Sequence, residues 1–149
     1  MQDYESLKSF IWLLASSQLL SDEDVLSIFQ KIFDLENLIC DGHLPIDQWG
    51  RARLHYELAA AHARLGDYEN VYRHLNIACE SIKAFDQRPE IQSFSSLLLG
   101  TVELNKMDFE TSDSRNHRDI MRESWLSNPD FDCVRNTDAF QQIINALHD

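Results

Sequence analysis

The sequence predicts an all-α fold, on three observations. Chain breakers are scarce, with four Gly and three Pro in 149 residues, so few positions force a tight turn. Apolar residues recur at the 3.6-residue period of a helix in five separate windows, which is the pattern of helices packing on a common core. The boundaries between the windows carry residues that start and stop helices.

The elements follow in order. In residues 4–17, Tyr4, Leu7, Ile11 and Leu14 share one face. In residues 22–40 the stripe is Ile28, Ile32, Leu35 and Ile39, and in residues 48–65 it is Leu54, Leu58, Ala61 and Leu65. Val71, Leu75, Ala78 and Ile82 repeat it in residues 69–84, and Phe140, Ile143, Ile144 and Leu147 form a last short stripe. Ser21 stands before the acidic turn Asp22, Glu23 and Asp24, which suits the positive end of a helix dipole. Gly42 is placed to end the second helix in a left-handed conformation, and Pro45 and Asp47 to open the third. Gly66 ends the third, and Asp67 caps the fourth. Pro129 stops a helix near residue 128, and Asn136 or Thr137 caps the last. Between these, Pro89 to Leu99 reads as a helix, because Ile91, Phe94 and Leu98 align. Gly100, Thr101 and Val102 break that pattern, and the polar run from Met107 to Asn116 reads as a loop.

Length and composition fit one domain over residues 1–149, with 44% apolar residues and enough chain to bury its own core. Net charge is −12. Residues 1–45 carry two bases and eight acids, residues 46–84 five of each, and residues 85–149 six bases and twelve acids. A nucleic-acid binder gains most of its affinity by neutralising phosphates, so direct DNA or RNA binding is not expected, nor is an anionic membrane. Cys40, Cys79 and Cys133 form no C-x-x-C pair and read as reduced thiols in a cytoplasmic protein, each a small core residue. The apolar run Phe10 to Ala15 is too short to span a bilayer. It follows Asp3 and Glu5 rather than a basic stretch, so it reads as a core helix face and not a leader.

No phosphate loop, G-x-S-x-G or metal-spaced Cys/His cluster points to catalysis, so an enzyme, a metal and a cofactor are not expected. His117-Arg118-Asp119 spells a kinase-like tripeptide without the rest of that signature. His55 and His62 lie two turns apart, too far to ligate one ion together, and packing or hydrogen bonding is the expected role. The carboxylates read as a solvated surface. Trp12 reads as core, whereas Trp49 and Trp125 stand near helix ends and divide evenly between core and binding surface.

The segment Ala52 to Ile82, ARLHYELAAAHARLGDYENVYRHLNIACESI, is a helix, a one-step turn at Gly66–Asp67 and a second helix. Ala59 to Ala61 and Ala63 let that second helix pack close, and Tyr68 fills the closed end. This arrangement resembles a tetratricopeptide repeat (TPR), matching or nearly matching its pattern at Leu58, Gly66, Tyr68, Leu75 and Ala78. It departs at His55, Ala59, His62, Val71 and Lys83, where the family prefers Trp, Gly, Tyr, Ala and Pro. The resemblance implies a right-handed array of antiparallel helix pairs. The best repeat is 52–85, a weaker pair is 4–41, and a C-terminal helical cap is 117–147.

WGRARLHYELAAAHARLGD, followed some fifty residues on by WLSNPDFDCVRNTDAFQQII, also resembles the C-terminal sensor or interaction region of bacterial helix-turn-helix transcription regulators. That resemblance implies a regulatory, protein- or peptide-binding module without its DNA-binding part. The alternative is a dimerisation or assembly module. In TPR arrays the first helix of each pair lines the concave face. Here that face would present Arg53, Tyr56, Ala60 and Arg64, suited to an acidic or aromatic ligand.

Overall fold

The computed structural model describes residues 2–17, 19–41, 48–109 and 113–148. The side chains of Tyr4 and Leu7, and residues Gly42, Pro45 and Asp47, lie outside that description. Helix α1 runs Gln2–Ser16 and α2 runs Asp22–Ile39. Ser21 caps α2, its Oγ accepting from the Asp24 amide at 3.2 Å. Asp41 ends the element with φ +55°, a conformation that Asp tolerates better than most residues.

Helices α3 (Gln48–Leu65) and α4 (Tyr68–Gln87) form the centre. Gly66 joins them at φ +76°, where a side chain would be strained, and Asp67 Oδ1 accepts from the Asn70 amide at 3.4 Å. The rings of Trp49 and Phe85 lie 6.0 Å apart, so the start of α3 meets the end of α4 and the pair is antiparallel. Asp22 at the start of α2 meets Arg64 at the end of α3, so these neighbours are antiparallel as well.

Helix α3 is buried on two faces. Ala52, Tyr56, Ala59, Ala60 and Ala63 join Val71, Leu75, Ala78 and Ile82 of α4 and the C-terminal residues Met121, Phe131 and Phe140 in one core. Leu54, Leu58 and Ala61 join Ala15 of α1 and Val25, Phe29 and Ile32 of α2 in a second. The single apolar stripe read from residues 48–65 captures only this second face. The alanines on the other face bury little area each, but they let neighbouring backbones approach closely.

The segment after α4 is not helical, which corrects the expected Pro89–Leu99 helix and adds a small two-stranded sheet to a fold that is otherwise mostly helical, as the all-α expectation had it. It is an antiparallel hairpin of β1 (Ile91–Ser96) and β2 (Gly100–Asn105), registered Ile91↔Asn105 to Ser96↔Gly100. Ser93, Ser95 and Ser96 are poor helix formers, and Thr101 and Val102 are β-branched. Gly100 takes φ +65° after a three-residue loop, the place where such hairpins need a left-handed residue. Thr101 and Ser95 hydroxyls meet across the strands at 2.9 Å. The apolar spacing at Ile91, Phe94 and Leu98 matches a helical face by coincidence. Lys106 to Phe109 form a 3-10 turn, so the stretch from Met107 expected as loop begins inside a turn of helix.

The C-terminal part crosses α3 and α4. Helix α5 (His117–Ile120) passes into a π-helical turn, Met121–Trp125, closed by the Leu126 amide on Met121 O at 2.9 Å. Pro129 opens a 3-10 turn to Phe131. Thr137, of the two expected caps, starts α6 (Asp138–Ala146), its Oγ1 accepting from the Phe140 amide at 3.3 Å. Cys40 and Cys79 are buried, as a core role requires, but Cys133 is exposed. Glu36 is buried too, so the carboxylates are not all a solvated surface.

The Ala59→Leu variant tests the close packing. Inserting three carbons where no space exists should lower unfolding stability by about 1–3 kcal/mol, measured by urea denaturation.

Candidate functional site

The sequence-predicted face on α3 is largely occupied by the chain itself. Tyr56 is 7% exposed and Ala60 1%. The Tyr56 hydroxyl accepts a hydrogen bond from Asn128 Nδ2 at 2.8 Å, and its ring packs on Trp125 and Phe131. Burial pushes its hydroxyl pKa up, opposed by the Asn128 bond. Arg53 stays exposed, paired with Glu57 at 2.8 Å, with its guanidinium 5.1 Å from the Tyr56 ring centre and 5.3 Å from that of Trp125. Arg64 reaches Asp22 at 2.7 Å and Asp130 at 2.6 Å. The four residues therefore share a face, but the C-terminal segment lies over its centre, so they do not form an open groove.

The tryptophans sort themselves by partner. Trp12 packs on Phe29 at 5.0 Å. Trp125 is buried, and Trp49 touches Trp125, Phe85 and His117. His117 Nδ1 lies 2.9 Å from Asp86 Oδ1, and Arg118 Nε lies 3.3 Å from Asp86 Oδ2. The His-Arg-Asp tripeptide thus ties α5 to the end of α4.

One arrangement was only half legible in the sequence. His74 of α4 sits between His55 and His62 of α3. His55 Nδ1 and His74 Nδ1 are 2.8 Å apart, with ring centres 5.1 Å apart at 26°, so the imidazoles meet nearly edge to edge. Arg73 can only donate, and it donates to His74 Nε2 at 3.3 Å. His74 must then carry its proton on Nδ1 and give it to His55 Nδ1. His55 holds its own proton on Nε2, which is buried without a hydrogen-bond partner among the described residues. The His55 ring meets the Phe33 ring edge-on at 5.7 Å. His62 stacks on His74 at 5.3 Å and bonds Asp67 Oδ2 at 3.1 Å. Among the described residues no group of three or more His, Cys, Asp or Glu is placed to hold a metal ion.

A second proton on either ring of the pair would set two donors against each other. Burial, first, and then His74, Arg51 and Arg73 hold His55 down at about 3. Burial, then Arg73 and His62, hold His74 at about 4, with Asp67 opposing. Sequence spacing hinted at His55 and His62 by their heptad separation. Nothing in it singled out His74, because the turn at Gly66 sets the register between α3 and α4.

No family model, curated protein or solved structure matches the chain.

Two outcomes are expected. Tyr56→Phe should cost about 1 kcal/mol by leaving the partly buried Asn128 amide unpaired, read from denaturant unfolding. The histidine pair should also make stability depend on pH. Unfolded histidines take up protons below about 6.5, whereas the folded pair resists until about 4 and 3. The unfolded chain therefore binds more protons in that window, and stability is full above pH 6.5 and falls with acidification. The slope is at most about 1.4 kcal/mol per pH unit for each histidine. Urea titrations from pH 7 to 5 should show this loss, and a His55→Leu/His74→Leu double variant should flatten it. A steep slope kept by the double variant would assign it elsewhere.

Proposed function

We propose that this chain is a TPR-like, protein- or peptide-binding module, non-catalytic, and the regulatory part of a bacterial transcription regulator. Three things support the repeat-like reading. The helix pairs α1–α2 and α3–α4 follow one another, α3 and α4 turn at Gly66–Asp67, and the C-terminal segment covers the second pair.

The observation that carries the binding reading is on α1. Phe10 and Leu13 are 63% and 70% exposed, Leu14 is also exposed, and Leu19 is exposed just beyond the helix. Residues 9–21 carry no charged side chain, in a protein of net charge −12. An uncharged apolar strip on an otherwise acidic protein favours a partner that brings an apolar, uncharged helix face. It is also the first helix of its pair, the position that lines the binding face in the resembled family. The corresponding face of α3 is covered by the chain's own tail, which leaves α1 as the open one.

Leu13→Glu tests this reading, since Leu13 contributes little to either core. The variant should keep the wild-type melting temperature and lose a partner that wild type captures from lysate of its source cells. Sedimentation distinguishes the other occupant. A wild-type dimer that Leu13→Glu turns into a monomer would assign the strip to a second copy and support an assembly module instead.

A further inference from the structure

The β1–β2 hairpin leaves backbone chemistry unused. At its base the Lys106 amide donates to Glu90 O at 2.7 Å. The ladder alternates from there. In the register Ile91↔Asn105 to Ser96↔Gly100, the amides and carbonyls of Gln92 and Phe94 therefore face β2, and those of Ile91, Ser93 and Ser95 face away from it. These three residues are exposed, and among the described residues no hydrogen bond reaches their amides or carbonyls. Ties to the helices lie at the two ends of the hairpin. The Leu97 amide donates to Asp41 Oδ2 at 2.8 Å, and Lys106 Nζ to Asp86 O at 2.8 Å. Protein edges commonly discourage pairing with a charge, a Pro or a bulge. The strand β1, IQSFSS, contains no charge and no Pro, and its register runs without a bulge. The strand β2, GTVELN, carries Glu103 near its middle. A two-stranded ribbon alone is marginal in water, and further strands stabilise it.

We propose that β1 pairs antiparallel with β1 of a second copy of this chain, joining two hairpins into one four-stranded sheet. The two-fold axis passes between the two Ser93 residues. Ile91 of each copy then stands opposite Ser95 of the other, and the outward amides and carbonyls satisfy one another. Each copy carries a net charge of −12, so the two repel, and β1 is an edge at which no charge meets its like. The same pairing through β2 would set two Glu103 carboxylates against each other. A second copy suits the edge better than a foreign strand does. Ser93, Ser95 and Thr101 on the outward face are small and polar, with little to select a foreign sequence, whereas a two-fold uses one edge twice. The pairing uses no residue of the α1 strip, and it stands whether or not that strip takes a partner.

Sedimentation and hydrogen exchange of the full chain test it. Wild type should be a reversible dimer with Kd below about 100 μM. It should be tighter at about 0.5 M than at about 0.05 M NaCl, because salt screens the repulsion. Ser93→Pro removes the central outward amide and spares the bonds to β2. Dimerisation should weaken at least about tenfold, while the Phe94 amide, which faces β2, stays protected from exchange. Ser93→Glu and Ser93→Lys should each pair more weakly than wild type, and their equimolar mixture more strongly than either, since unlike charges then meet at the axis. Ser93 is exposed, so these two variants stay informative even if Ser93→Pro opens the hairpin. Leu13→Glu should dimerise like wild type. The proposal is overturned if wild type stays monomeric up to about 500 μM, if Ser93→Pro dimerises like wild type, if the mixture pairs no better than either variant alone, or if Leu13→Glu abolishes the dimer.

Discussion

Everything else in this structure depends on the close packing around α3. A helix flanked by α2, α4 and the C-terminal segment cannot carry large side chains on every face. Ala52, Ala59, Ala60, Ala61 and Ala63 are each almost wholly buried. They give up hydrophobic area one by one, but they let the surrounding helices approach until larger residues such as Leu54, Leu75 and Phe131 interdigitate. The two cores meet on this one helix. A change that displaces α3 is therefore felt on both sides.

The same crowding explains the polar chemistry at the centre. His55 and His74 face each other because α3 and α4 run antiparallel from a two-residue connection, which fixes their register. In a site this dry a neutral hydrogen-bonded pair is tolerated and a charge is not. The neighbouring arginines reinforce that choice, since Arg51 and Arg73 both oppose protonation of His55. Arg73 also settles where the shared proton resides, because its guanidinium leaves His74 Nε2 only the accepting role.

Sequence periodicity revealed the helices well and their surroundings poorly. Ser21, Gly66, Asp67 and Thr137 act as local punctuation, and local rules sufficed to place them. The hairpin was missed because Ile91, Phe94 and Leu98 fit a helical face, whereas the decisive evidence was the poor helix propensity of the serines and the turn at Gly100. The face of Arg53, Tyr56, Ala60 and Arg64 was read as a shared helix face, and it is one. What lies over it is set by contacts from residues 125–131, some seventy positions away, and a local period carries no such information. The burial of Glu36 and the exposure of Cys133 are likewise tertiary outcomes that residue type alone misstates.

Arg64 joins Asp22, 42 residues before it, and Asp130, 66 residues after it. One partly exposed guanidinium thus ties the start of α2 to the segment that closes over α3. Contacts of such long range close large loops, whose entropy is met before the contacts contribute, and this bridge is expected to form late. Interactions absent from the folding transition state leave the folding rate nearly unchanged and act on the reverse step. The consequence is kinetic: this bridge is a brake on unfolding, one that adds to the lifetime of the native state more than to the speed of reaching it.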